Sequence, residues 1–220
     1  ENPWPLSADG AGHSLVLARP SYGEGNVRAW TASEFIGGSP GRREGYAADP
    51  KRAVVINEFM ANTDPPLLDF IELFNTGTQP VDISGCVLSD DFGFLKFAVP
   101  DGTVLPGRGS IAFDESQLGF SLSSDGEEIL FLNPDVTRVL DAVRFEGQAN
   151  GVSRGRWPNG APGFVELGTP TPGANNAAPL RRDIVINEIM YNPISGSDND
   201  EYIELYNRGS SPVNVGDWRF

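Results

Sequence analysis

The sequence predicts an all-β chain: an immunoglobulin-like β-sandwich in tandem repeats. Three observations predict it. Long helical periodicity is absent, so the roughly ten-to-fifteen-residue helical stretches that parallel α/β crossovers need are missing. Short apolar or alternating segments recur instead, each closed by Gly, Pro, Asn or Asp, a spacing suited to a sandwich. One block of sequence also returns. Val55-Ile56-Asn57-Glu58, then Phe70-Ile71-Glu72-Leu73-Phe74-Asn75, reappears as Val185-Ile186-Asn187-Glu188, then Tyr202-Ile203-Glu204-Leu205-Tyr206-Asn207, at offsets of 130 and 132 residues. A unit of that size is a domain, too long for a solenoid turn or a propeller blade.

The elements follow in order. Ala53 to Met60 is rich in β-branched residues and reads as a strand. Leu68 to Phe74 alternates, with Phe70, Glu72 and Phe74 on one face and Ile71 and Leu73 on the other, so one face is expected to be buried. Asn75-Thr76-Gly77 turns the chain. Val81 to Ile83, Cys86 to Leu88 and Phe94 to Val99 follow as short strands, with Pro100-Asp101-Gly102 as the next turn. Ser110 to Phe113 is another, and Glu128 to Leu132 with Arg138 to Phe145 form a pair joined around Asn133-Pro134-Asp135. About eight strands between 53 and 145 are within the immunoglobulin-like range.

Thr169 to Pro179 is Pro-, Gly- and Asn-rich and reads as a short linker. Ser39-Pro40-Gly41 matches Thr171-Pro172-Gly173 at a 132-residue offset, and Gly12-His13-Ser14 resembles Gly151-Val152-Ser153 more loosely. Residues 1–48 are thus expected to be the tail of one copy, 49–178 a complete copy, and 183–220 the opening of a third. The two end pieces together lack equivalents of about 89–140, so they cannot make a whole sandwich. Their open strand edges predict that they are held by the central domain, by each other or by a partner chain.

Composition sets limits. Apolar residues make up 39% of 220, enough for a core, with 26 Gly and 18 Pro. The net charge of -14 repels phosphates and argues against a nucleic-acid partner. The pairs Arg42-Arg43 and Arg181-Arg182, and Arg154 with Arg156, read as solvated linker charge. The single cysteine, Cys86, precludes an intrachain disulfide. No apolar run approaches the ~18 residues of a membrane span, so direct membrane insertion is not expected. The start, Glu1-Asn2-Pro3-Trp4, reads as the middle of a domain, and any targeting signal is expected outside this chain.

These blocks resemble the lamin tail domain as found in bacterial exported proteins. The resemblance lies in Val-Ile-Asn-Glu (55–58, 185–188) and Ile-Glu-Leu-aromatic-Asn (71–75, 203–207), then in Val81-Asp82-Ile83-Ser84-Gly85, and in Phe97 with Pro100 to Gly107. Gly126-Glu127, Gly151-Val152-Ser153 and Pro170 to Asn175 complete it. Cys86 stands where the family usually has an aromatic residue, which the next copy has as Trp218. The resemblance implies an immunoglobulin-like module for adhesion, targeting or assembly, attached to secreted or surface proteins. It also implies partners among other copies of the module and proteins or glycans at a surface.

Catalytic chemistry finds little footing. A hydrolytic triad needs a nucleophile, a base and an orienting acid in mutual reach. The only histidine, His13, directly precedes Ser14, and neighbouring strand side chains diverge. One Cys and one His far apart do not make a zinc site, and no long insertion builds a glycosidase cleft. Calcium suits the acidic loops better, since it takes clustered oxygen ligands. The candidates are Asp198, Asp200 and Glu201, flanked by Ser197 and Asn199. Weaker ones are the loop from Asn62 to Asp69 and the turn Ser89-Asp90-Asp91. Otherwise no cofactor is expected. Trp30 and Trp157, with Phe164, are candidate ligand contacts that could stack on a sugar, or rings that cap the core. Asn57, Glu58, Glu72 and Asn75, and their repeats Asn187, Glu188, Glu204 and Asn207, read as structural, bonding backbone groups at strand ends and the adjoining turn.

The expected function is a non-catalytic interaction, adhesion or spacer module of an exported bacterial protein, placed outside the cell or at its surface. The alternative is a module binding a glycan or a Ca²⁺-dependent partner beside a catalytic domain.

Overall fold

A computed structural model describes residues 4–45, 48–180 and 182–216. The chain divides into two units after Pro179. Arg181 and Trp218 lie outside the described residues.

The first unit opens with a hairpin, β1 (His13–Leu17) and β2 (Trp30–Ile36). The sandwich follows with β3 (Val54–Met60), β4 (Phe70–Asn75), β5 (Val81–Asp82), β6 (Val87–Ser89), β7 (Phe97–Ala98), β8 (Val104–Leu105) and β9 (Ser110–Asp114). One helical turn, α1 (Glu115–Leu118), is capped by Asp114, whose side chain accepts from Ser116 and Gln117 N–H. β10 (Gly126–Leu132), β11 (Val139–Glu146), β12 (Arg154–Arg156) and β13 (Phe164–Glu166) complete it. The strands form a five-stranded sheet, β13-β12-β3-β4-β9, and a four-stranded sheet, β11-β10-β6-β7, with a small β5-β8 ribbon. Ile56, Phe59, Ile71 and Leu73 from the first sheet meet Leu88, Ile129 and Phe131 from the second in one core. The fold is therefore an all-β, immunoglobulin-like sandwich.

Two strands depart from simple alternation, each for a visible reason. All of β4 is buried, where alternation had predicted one solvated face. The segment after β12 covers the second face, and Glu72 is satisfied there instead of in water. In β10, Ile129 and Phe131 fill the main core, while Leu130 and Leu132 join Ala11, Val87 and Val139 in a second cluster. The N-terminal hairpin covers that outer face. β12 and β13 add two strands that no periodicity predicts, because Gly155 and the Gly/Pro-rich stretch between them hide the period.

The N-terminal segment is held by the central sandwich, one of the expected arrangements. Ile36 N–H donates to Thr137 O at 2.8 Å, and Val139 N–H donates to His13 Nε2 at 3.0 Å. Arg138 is the anchor. Its guanidinium donates to Glu34 O at 2.9 Å and Glu34 Oε1 at 2.5 Å, and pairs with Asp49 at 3.0 Å.

The second unit is a hairpin of β14 (Ile184–Met190) and β15 (Tyr202–Asn207). It repeats the β3–β4 hairpin down to its irregularity. Ile186 faces Leu205 and Glu188 faces Glu204, with a bulge between. Ile56 likewise faces Leu73 and Glu58 faces Glu72. The turn repeats too: Asn207 Oδ1 accepts from Gly209 N–H and its Nδ2 donates to Ser211 O, both at 2.8 Å, as Asn75 serves Gly77 and Gln79.

Candidate functional site

The densest polar cluster lies where β3 and β4 meet the segment after β12. The bulge at Asn57 turns its amide, with the carboxylates of Glu58 and Glu72, toward that segment. All three residues are 0% exposed. Glu58 accepts from Ser153 Oγ at 2.6 Å, Thr171 N–H at 2.9 Å and Thr171 Oγ1 at 2.7 Å. Glu72 accepts from Asn57 Nδ2 at 2.8 Å and Gly173 N–H at 2.7 Å. Gly173 has φ +79°, a conformation that favours glycine and aims this N–H at the carboxylate. Asn57 Oδ1 accepts from Gly160 N–H at 3.0 Å, and Asn176 bridges Asn57 O and Arg156 O. β12 must approach closely for this: a Cβ at Gly155 would meet Asn176 Nδ2 at 2.5 Å and Leu167 Cδ1 at 2.7 Å.

Burial raises the Glu72 carboxyl to about 7, with Glu58 adding repulsion, against the hydrogen bonds from Asn57, Gly173 and Ser110. The cluster has no solvent-exposed nucleophile beside a base. Chemically it can fasten one segment to another. The structural reading of these residues holds, with one change of partner. Asn75 bonds backbone oxygens, Gln79 O in the adjoining turn and Pro106 O 31 residues along the chain. Glu58 and Glu72 reach groups about a hundred residues away.

Beside it, Arg156 is buried and donates to Ile56 O, Ala161 O and Pro162 O at 2.7–2.9 Å, pairs with Asp141 at 3.1 Å and stacks over Phe164 at 4.4 Å. This corrects its reading as solvated linker charge. Burial pushes the Asp141 carboxyl upward, against the pull of Arg156. Arg138, Asp141, Ser153 and Asn176 were not singled out from sequence. Their partners lie far away in the chain, and only the ordered Gly-Val-Ser and Thr-Pro-Gly motifs hinted at them.

The other candidates fall in separate places. Trp30 is half-buried at the start of β2, its indole N–H donating to Glu24 O at 2.9 Å. Trp157 is 48% exposed just past β12, and Phe164 packs on the core 5.5 Å from Phe59. Trp30 thus lies in the N-terminal hairpin and Trp157 in the bend after β12, while Phe164 caps the core. Asp198 and Asp200 bound a single 3-10 turn, with Glu201 next in the chain and Ser195 Oγ donating to Asp200. Asp69 accepts from Thr63 Oγ1 and Leu122 N–H, Asp64 from Asn150, and Asp91 from Gly93 N–H, while Asp90 pairs with Lys96. Among the described residues no three His, Cys, Asp or Glu side chains converge to hold a metal. His13 and Ser14 diverge, the first buried and the second exposed. Among the described residues no helix is long and apolar enough to cross a membrane.

Fold and cluster together define a β-sandwich module whose opening hairpin is clasped by its closing segment. A family model, Lamin Tail Domain, matches residues 47–147 and again residues 177–220. The chain belongs to the lamin tail domain family. No curated protein matches it.

Proposed function

We propose that the chain is a non-catalytic interaction or spacer module, one stretch of a tandem array in an exported protein that works outside the cell or at its surface. The observation that carries this reading is the use made of the repeated polar residues. Asn57, Glu58 and Glu72 are fully buried and engaged by the closing segment, so the repeat preserves a clasp. The opening hairpin returns in the second unit with the same register and bulge, as an array of such modules requires. Repeated modules on short linkers act through avidity, since each further contact is made at high effective concentration.

The test presents the 220-residue chain on beads at one and at four copies and measures retention on intact bacterial envelopes. Calorimetry with Ca²⁺, a glycan array and a panel of hydrolase substrates run in parallel. The expected result is retention rising about 10²-fold with valency and no turnover. Hydrolysis by the chain, or retention indifferent to valency, overturns the reading.

A further inference from the structure

Arg154 on β12 is half-buried, where solvated linker charge had been expected, and it lines a groove of the complete sandwich. We propose that this groove binds an acidic peptide segment. An Asp or Glu carboxylate sits on the Arg154 guanidinium, and a neighbouring apolar side chain fills the aromatic depth of the groove. The proposal deepens the reading of the chain as an interaction module and rests on it.

Strand geometry sets the direction of this side chain. A Cβ at Gly155 would meet Asn176 and Leu167, so that face of β12 looks toward the closing segment. Arg154 and Arg156 face the other way, into the sandwich, because successive strand side chains alternate. Arg154 is in register with Phe59, which is fully buried. Arg156 is engaged there by Asp141 and by the carbonyls of Ile56, Ala161 and Pro162. Arg154 is not. Among the described residues its guanidinium joins no ion pair and donates no hydrogen bond, and its Nε is shut off from water. A donor withdrawn from water without an acceptor is unfavourable. Carboxylates are not scarce, since 30 acidic residues stand against 16 basic ones. Nor does the fold ask for an arginine: the match of Gly12-His13-Ser14 with Gly151-Val152-Ser153 puts Leu15 at the same place.

The groove has a volume of about 650 Å³, within the range of ligand sites. Phe59, Val143 and Phe145, all buried, line its depth, and the partly buried Phe164 lines it nearer the surface. Three arginines contribute to it. Arg144 is held by Asp9 and Glu128 and Arg156 by Asp141, which leaves Arg154 for a ligand. A guanidinium selects carboxylate or phosphate. A phosphate monoester would bring about two charges to one unengaged cation in a chain of net charge -14, whereas a carboxylate brings one. A sugar ring needs acceptors for its hydroxyls, and among the described residues Glu146 is the one acceptor side chain along the groove. A peptide supplies a carboxylate and an apolar side chain on adjoining residues, which is what this lining matches.

Titration of the peptide acetyl-Gly-Phe-Glu-Phe-Gly-amide into the full 220-residue chain, followed by amide chemical shifts, tests this. The probe is expected to bind at about 1 mM or tighter and to move the amides of residues 142–146 and 154–164. Exchanging its glutamate for glutamine should weaken binding at least ~10-fold. R154L should weaken it as much, while the unfolding midpoint holds or rises because the stranded donor is gone. E146Q removes a like charge from the groove and should tighten binding. No movement of these amides at about 10 mM probe, or equal affinity in R154L, overturns the proposal. So does a midpoint lowered by R154L, which would make Arg154 a support of the fold. Oligogalacturonate moving the same amides where the peptide does not would replace the peptide with a glycan. The titration involves neither valency nor envelopes, so its failure leaves the array reading standing.

Discussion

Glu72 accepts the backbone N–H of Gly173 at 2.7 Å across 101 residues of sequence. With Glu58 on Thr171, this contact binds the first hairpin of the sandwich to its last segment. Glu58→Ala would leave Ser153 Oγ, Thr171 N–H and Thr171 Oγ1 without their acceptor inside the protein. At about 1–3 kcal/mol for each buried donor stranded, the loss over the three should be at least about 3 kcal/mol. Chemical denaturation should show it, with exchange of the Thr171 and Gly173 amides accelerating most. An unchanged midpoint would mean that water replaces the carboxylate freely.

Glu72 also gives the sandwich a pH dependence of definite sign. Its folded value of about 7 lies above the ordinary 4.5, chiefly because it is buried. Between those values the folded state holds a proton that the unfolded state has released. The stability this group contributes is therefore full below pH 4.5 and lost as pH rises through 7, by on the order of 3 kcal/mol. Glu72→Gln should flatten that limb of the stability profile. It should also lower stability at acid pH, because one amide hydrogen then confronts a donor. A profile equally steep in wild type and variant would assign the dependence to other groups.

The fold was legible in the sequence because its signals are local. Strand punctuation and the repeated Val-Ile-Asn-Glu block needed no knowledge of distant contacts, and the bulge at Asn57 is reproduced at Asn187 where the hairpin stands alone. The clasp was half legible. That Asn57, Glu58 and Glu72 serve structure could be read from polar residues inside strands. Their partners could not, because Ser153, Thr171 and Gly173 sit in Gly/Pro-rich sequence that looks like linker until it closes over β4. Arg156 misled for the same reason: its burial depends on β12 lying against β3, and a three-residue strand containing Gly155 has no period to betray it.

The N-terminal hairpin should undock when its anchor is removed. Arg138 and Glu34 are both buried, and breaking one side of such a pair costs about 3–5 kcal/mol. Arg138→Ala should therefore expose β1 and β2 to limited proteolysis at protease levels that spare β3 through β11. Cleavage that spreads evenly over both regions would show that the hairpin and the sandwich unfold as one.

His13 tunes the same docking. Its Nδ1–H donates to Ser33 O at 2.8 Å and its Nε2 accepts from Val139 N–H, so the docked form needs the neutral ring. Burial lowers its pKa below 6.5, helped by Arg138 and Arg52 and opposed by the Ser33 bond and Glu44. The folded value lies below the unfolded one, so this contribution is full above pH 6.5 and is lost as pH falls toward the folded value. Exchange at the Val139 amide should quicken on acidification beyond its intrinsic trend, and His13→Asn should remove that excess. Protection of Val139 that ignores pH would place the hold on the hairpin in Arg138 alone.

Cys86 is fully buried in the main core, and burial pushes its thiol up to about 12. A thiol that is neither ionised nor accessible reacts only when the core opens. Iodoacetamide labelling of the native chain should proceed at the rate of global unfolding and rise in step with denaturant. The site has closed around a small side chain, so Cys86→Trp should overpack it and cost at least about 1–3 kcal/mol, lowering the unfolding midpoint. Rapid labelling under native conditions, or a tryptophan variant as stable as the wild type, would show that this part of the core can expand without loss.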